Sequence, residues 1–471
     1  MSSSPESTQA LKPVLGRRQL SMIAVGGTIG AGLFVGSGSA IHSAGPGVIL
    51  AYVAVGALVV LIMRMLAELA VNSPDTGSFA SYATRELGAW AGLAVGWVYA
   101  YTWAIVVGFE ATAGAAMIHR LVPGVPAWVA ALVFMVVLTF TNLISVRTFG
   151  ELEFWFASVK VVIIVGFLVL GAAAIIGLVP GVDRPGLSNL TGHGGFLPNG
   201  FTEVLLAILV VVFSFFGTEV VTIAAGEAKN PREAVRAAMR SVVLRILVFY
   251  IGSIAVIVTL LPTNSSDVTT SPFVAVMEHI GLPLAPQIMD FVVITAVLSC
   301  LNSGIYTSSR MLFSLASRGE APAVLARTND RGVPVLAVLA ASVGGFLTVI
   351  ANYFLPSATV FTFLLDSTGA VAIIIYICIG VTQLRGRARL RQEGNEDLPV
   401  RMWGHPYLSA LVVVALAVIM IALVVSESSR HSTLMSLIVT AVACAAGLIH
   451  QSNRRRAVPA DPSPTEAVEA Q

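Results

Sequence analysis

Apolar stretches of about twenty residues recur along this chain, separated by short polar or glycine- and proline-bearing connections. A helix rises 1.5 Å per residue, so about 20 apolar residues cross the roughly 30 Å of membrane hydrocarbon. Stretches of that kind fall at 20–41, 46–70, 90–118, 126–146, 151–178, 200–225, 237–261, 286–315, 334–354, 358–383, 406–425 and 432–450. The pattern predicts twelve transmembrane helices. Connections such as "HSAGPG", "VPGVP" and "LVPGVDRPGLSNLTGHGG" carry the turn formers expected between spans. The first apolar run continues past any small-residue cleavage site and is followed at once by another, which reads as an uncleaved signal anchor.

Two of the stretches are internally interrupted. "GGTIGAGLF", residues 26–34, places four glycines in the middle of span one, and "FSFFGTE", residues 213–219, breaks span six with a glycine-threonine pair and a glutamate. Irregular backbone at membrane depth is tolerated only where it lines a cavity or is buried in protein. Spans one and six lie five helices apart and therefore cross in opposite directions. Interrupted segments at corresponding places in two halves are the mark of an inverted-repeat transporter. The expected organisation is a cytoplasmic tail at 1–19, repeat one at 20–180 (spans 1–5) and repeat two at 200–384 (spans 6–10). Spans 11 and 12 follow at 406–450, then a disordered cytoplasmic tail at 451–471. The halves share little residue-level identity beyond Gly27-Thr28 and Gly217-Thr218, so the repeat rests on topology. Two other readings of the glycines are close helix packing and a nucleotide fingerprint in "GAGLFVG". The second lacks a strand before it and an acidic ribose ligand after it.

Composition agrees with a lipid-solvated chain: 56% of residues are hydrophobic and 11% charged, against about 25% charged in soluble domains. Mean hydropathy is +0.87. The net charge of +2 points to no nucleic-acid partner. Location matters more than the sum. With the N-terminus placed in the cytoplasm, 23 of the 27 lysines and arginines fall on the inner side. Only Arg120, Arg184 and Arg430 fall outside, and Lys160 sits within a span. That asymmetry follows the positive-inside rule, placing both termini in the cytoplasm of a multi-pass plasma-membrane protein. Cys300, Cys378 and Cys444 lie far apart in apolar runs and form neither a metal motif nor a disulfide framework.

Taken together, "GGTIGAGLFVGSG", "GELEFWFASVK", "FSFFGTEVVTIAAGEAKNP" and "LNSGIYTSSRMLFSLASRGEAP" resemble the bacterial amino-acid transporters of the amino acid–polyamine–organocation superfamily. The resemblance spans roughly residues 15–450. Within the superfamily, "MDFVVITAVLSCLNSGIYTSSRML", "VFTFLLDSTGAVAIIIY" and "LPVRMW" are most similar to the 4-aminobutyrate (GABA) permeases; aromatic, proline, lysine and asparagine permeases share the same motif set. The resemblance implies a leucine-transporter-like fold and proton-coupled uptake of a zwitterionic amino acid, with no cofactor beyond the proton gradient and a monomer sufficient.

A zwitterion in low dielectric needs partners for both of its charges. Unwinding span one frees N–H groups near a half-helix N-terminus, a natural anion site, so the substrate carboxylate is assigned to Thr28, Ile29, Gly30, Ala31 and Gly32. The ammonium is assigned to carbonyls of the span-six break, Phe213, Ser214, Phe215, Phe216, Gly217 and Thr218, with Phe215 and Phe216 covering the aliphatic stem. Cys300 is a candidate pocket wall, and Asp366 and Ser367 are candidates for the outer gate.

Ionisable residues inside spans are functional candidates because they are expensive to bury. Glu110 is expected to accept a proton or the substrate amine. The resemblance implies that Lys160, in "EFWFASVK", occupies a sodium position of sodium-coupled relatives and ties span five to Gly26 and Gly27 and to Ser299, Asn302 or Ser303. Glu219 is assigned equally to structure and proton sensing. Glu68, Glu153 and Glu227 are expected to pair with arginines of the inner loops. An enzyme would need a nucleophile–base or metal constellation, which seven dispersed histidines do not supply. An amino-acid-selective channel fits two half-broken helices less well than alternating access.

Overall fold

Backbone amides in hydrocarbon must be satisfied within their own segment, and helices answer that requirement throughout. The computed structural model describes residues 11–457 except 183, 193, 367, 368 and 395–397. In chain order the helices begin α1 Arg17–Gly26, α2 Ser37–Ala44, α3 Val48–Asn72, α4 Ser78–Leu87, α5 Ala89–Leu121, α6 Ala127–Ile144 and α7 Val146–Ile175. They continue α8 Ser188–Thr191, α9 Phe201–Phe215, α10 Val220–Ala224, α11 Pro231–Leu260, α12 Ser266–Thr270, α13 Pro272–Ile280 and α14 Ala285–Ser317. The last are α15 Val335–Phe354, α16 Ser357–Asp366, α17 Gly369–Gln392, α18 Tyr407–Val425 and α19 Glu427–Ala457. Among the described residues there is no strand, only an isolated bridge between Leu15 and Ala228.

Ten helices among the described residues are long and apolar enough to cross a membrane, two fewer than the apolar stretches predict. Span one is split, and its second half runs on into α3 as one stretch, Gly32–Asn72, interrupted at Gly45 where φ is +62°. The other apolar stretch falls on α11, a 30-residue helix, Pro231–Leu260, that includes the apolar segment Ile246–Leu260. Helix α19 reaches Ala457, beyond the expected end of span twelve at residue 450.

Two long helices, α5 and α14, pack along each other at the centre and are mostly buried. By contrast α7, α18 and α19 present apolar side chains outward, among them Val162, Val169, Leu411, Ile421 and Val442. Those faces are suited to lipid.

Both expected interruptions are present. Helix α1 stops at Gly26, and the chain re-enters helix as a π-type turn at Gly32–Gly36 leading into α2. Helix α9 stops at Phe215 and α10 begins at Val220. The breaks touch through Gly217, whose φ is +104°; a Cβ there would lie 2.9 Å from the Gly27 carbonyl carbon and 3.3 Å from Thr28 Cα. A positive φ and a backbone wall both demand glycine.

Gly217→Ala is therefore expected to destabilise the fold by about 1–3 kcal/mol through backbone strain alone. Gly166→Ala, where an added Cβ meets nothing within 4 Å, is the control. Thermal melting of both purified variants checks this; equal melting temperatures would remove the crossing as a constraint.

Candidate functional site

The interruption of span one leaves carbonyls without helical partners, and a buried cation takes them. Lys160, fully buried on α7, donates from Nζ to Gly26 O at 2.8 Å and to Ile29 O at 2.7 Å. Two turns earlier on the same helix, Glu153 is also fully buried and accepts from Ser299 Oγ and from Asn302 Nδ2 (3.1 Å). Asn302 in turn accepts from Asn142 Nδ2 at 2.8 Å. The expected link from span five to span eight is thus made by Glu153 with Ser299 and Asn302. Glu153 is not one of the inner-loop ion pairs, since its seven-residue offset from Lys160 turns both side chains toward the span-one break.

The unwound segment is tighter than expected. Thr28 N and Ile29 N still donate to Val25 O, at 3.3 and 3.1 Å. The Ala31 N–H donates to the Glu110 carboxylate, 3.1 and 3.0 Å from its two oxygens. A side-chain anion therefore sits on an N–H group assigned to the substrate. Cys300 lies against the same segment, with Sγ 3.4 Å from Gly27 O. A Cβ on Gly30 would fall 2.7 Å from Cys300 Cβ, so glycine there lets α14 approach the break. Ser303 Oγ is buried without a hydrogen-bond partner among the described residues.

At the second break, the Gly217 N–H donates to the Glu219 carboxylate (3.1 Å), and Tyr99 donates its hydroxyl to the same group at 3.0 Å. Ser214 Oγ donates to Gly32 O at 2.8 Å, joining the two breaks. The three phenylalanines separate. Phe213 meets Phe109 edge-on at 5.0 Å, Phe216 lies 5.6 Å from both Tyr99 and Trp103, and Phe215 stacks on Tyr250 at 4.4 Å. Phe215 therefore packs into the aromatic layer of Tyr52 and Tyr250 and does not share Phe216's surroundings. Thr218 Oγ1, Trp103 Nε1 and Tyr376 OH, all buried near this break, have no hydrogen-bond partner among the described residues.

Tyr250 on α11 was absent from the residues read from sequence. Its hydroxyl lies 2.9 Å from Thr28 O and 2.6 Å from Ser214 O, one carbonyl from each break. A phenol has one proton for two acceptors, so one carbonyl is always the weaker-held. Nothing in "LVFYIGS" distinguishes this tyrosine from a core aromatic; only the fold brings it to both breaks.

On the side bearing the N-terminal segment, the site is sealed. Leu15 pairs with the 227–229 backbone, Leu15 N to Glu227 O at 2.9 Å and Lys229 N to Leu15 O at 3.1 Å. Glu227 accepts from Arg310 Nε (2.6 Å) and Tyr306 OH (3.0 Å), all buried. Glu68 accepts from Arg387 (2.8 Å) and Gln383 (2.9 Å). Ser78 and Thr222 hydroxyls meet at 2.6 Å. On the opposite side a cleft of about 280 Å³ is lined by Val35, Thr112, Met117, Arg120 and Ser357, with Arg120 paired to Asp290. Ser367 and the side chain of Asp366 lie outside the described residues.

An amino acid permease family model matches residues 19–459. The chain is 49% identical over 449 residues to the gamma-aminobutyric acid permease of Bacillus subtilis (strain 168), covering 95% of this chain and 96% of that protein. It is 49% identical over 397 residues to the gamma-aminobutyric acid permease of Escherichia coli (strain K12), covering 84% and 85%. The aromatic amino acid transport protein AroP of Corynebacterium glutamicum matches at 41% over 436 residues, covering 92% and 93%. Among solved structures, a mutant of the Eremococcus coleocola manganese transporter superposes with TM-score 0.59 at 13% identity, covering 96% of this chain and 100% of that one. That likeness speaks to the fold alone.

Tyr250→Phe is expected to leave a folded protein whose transport kcat/KM falls about tenfold, the effect of roughly 1–2 kcal/mol of lost hydrogen bonding to buried carbonyls. Initial-rate uptake beside a melting curve checks it; unchanged kinetics would make the tyrosine simple packing.

Proposed function

We propose that this chain, which belongs to the amino acid permease family, imports GABA by proton symport with alternating access across the cell membrane. That it is an amino acid permease, and not an enzyme, follows from its family and relatives. The substrate reading is carried by 49% identity along nearly the whole chain to gamma-aminobutyric acid permeases. The arginine-rich face that holds the N-terminal segment is taken as cytoplasmic. The stretch Gly32–Asn72 has 41 residues and would measure roughly 60 Å as a straight helix. It is read as two crossings; with α11 as another, the spans number twelve, arranged as a 5+5 inverted repeat followed by α18 and α19.

In this reading Glu110 is the hinge of coupling. Its carboxylate holds the Ala31 N–H, which the substrate carboxylate needs. A proton entering from the outer cleft neutralises Glu110 and frees that N–H, so proton and substrate carboxylate bind together. The ammonium takes carbonyls at the span-six break, where Tyr250 shares its one proton between Ser214 O and Thr28 O, and Phe216 covers the methylene stem. Lys160 holds the bend of span one as a fixed cation where a sodium-coupled transporter would place an ion. The sealed face with Leu15, Glu227 and Arg310 is the inner gate.

Reconstituted into proteoliposomes, the protein is expected to concentrate labelled GABA under an inward proton gradient, without sodium, and to lose the gradient of substrate when a protonophore is added. Competition by GABA above proline, aromatic and cationic amino acids is expected; an α-amino acid competing where GABA fails would replace the substrate and leave the family intact.

Glu110→Gln is expected to uncouple uptake from pH and lower it roughly 100-fold, about 3 kcal/mol for the lost charge-assisted hydrogen bond to the Ala31 N–H. Lys160→Ala should leave uptake at background. Wild-type pH dependence in the Glu110 variant would move the coupling elsewhere.

A further inference from the structure

A second cavity lies away from the transport site, between α3, α11 and the segment that precedes α18. It encloses about 500 Å³. Helices α3 and α11 run in opposite directions, and their lining residues are graded along the membrane normal. Arg64 is eight residues from the end of α3 and Arg236 five from the start of α11, about 12 and 8 Å from the same face at 1.5 Å per residue. Deeper along α11 the lining becomes Met239 and Leu247. The wedge narrows near Gly56, where an added Cβ would stand 2.5 Å from Leu247 Cδ2.

Two cations, Arg64 and Arg236, stand at the mouth. Arg64 donates Nε to Arg401 O at 2.8 Å, and its guanidinium lies 4.8 Å from the centre of the Trp403 ring. Neither Arg64 nor Arg236 pairs with a carboxylate among the described residues. The nearest acid along α3, Glu68, is already engaged by Arg387, Gln383 and the Met402 N–H (2.5 Å). Trp403, which lines the cavity beside Arg64, is exposed, as aromatic side chains of the membrane–water interface are.

Two guanidiniums with no carboxylate partner among the described residues, set over an apolar wedge at the headgroup level, match one kind of occupant, an anionic phosphodiester with acyl chains below it. Basic pockets between spans on the cytoplasmic side hold lipids of that class. We propose that this cleft binds a single anionic phospholipid of the leaflet facing the N-terminal segment, its phosphate between Arg64 and Arg236 and one acyl chain along Met63 and Leu247. The leaflet rests on the orientation given under Proposed function; the binding itself does not.

The test uses the full chain purified in detergent, with lipid retention read by native mass spectrometry and by melting temperature. Phosphatidylglycerol is expected to be retained at least fivefold more than phosphatidylcholine at equal mole fraction, and to raise the melting temperature. Arg64→Ala/Arg236→Ala should abolish that preference. Arg17→Ala/Arg18→Ala, which removes two cations from the same face outside the cleft, should preserve it. Leu247→Trp, filling the wedge with both arginines intact, is expected to lower retention independently of any folding defect in the double variant. Equal retention of both lipids, equal stabilisation by inorganic phosphate, or an equal loss in the Arg17/Arg18 variant would each overturn the proposal. None of these readouts depends on which amino acid is transported.

Discussion

The ammonium of Lys160, held by Gly26 O and Ile29 O, is the interaction on which the remaining architecture depends. A membrane helix that unwinds must find partners for its released carbonyls, each of which is worth several kcal/mol if left bare in hydrocarbon. A buried cation answers two acceptors at once, and hydrogen bonds to a charged group contribute about 1.5–3 kcal/mol each. The cation in turn requires an anion nearby, which Glu153 supplies two turns away. Glu153 then orients Ser299 and Asn302, and Asn302 reaches Asn142. One interruption thereby organises α1, α6, α7 and α14.

The second break is positioned by the first. Gly217 lies against the Gly27–Thr28 backbone, and Ser214 and Tyr250 join the two segments by hydroxyl bonds. The arrangement gathers backbone carbonyls, hydroxyls and carboxyl groups at the crossing. The two ends of the bundle are unequal. Buried ion pairs and a short backbone bridge close one end, while a cleft penetrates the other.

Much of this was legible along the chain because lipid imposes length and composition on every span. Twelve apolar stretches and two glycine interruptions could be read directly, and the charged residues within spans stood out by their cost. Pairings were less legible. Glu153 looked like a member of the inner-loop ion pairs because it lies near the cytoplasmic start of span five, yet it is wholly buried. Glu110 was recognised as a buried acid, while its place on the Ala31 N–H, where the substrate's anion was expected, required the fold. Phe215 and Phe216 are adjacent in sequence and face different surroundings, since a helix ends between them.

The sequence by itself determined a lipid-solvated helical chain, the positions where two helices stop, and the family to which it belongs. These follow from one-dimensional quantities: apolar length, glycine placement and motif order. Tertiary structure alone decided which groups meet at the breaks. Tyr250 is separated by 222 residues from Thr28 and by 36 from Ser214, and no local pattern encodes their convergence. Hydrogen bonds act over about 3 Å, so their partners are set by how the helices pack.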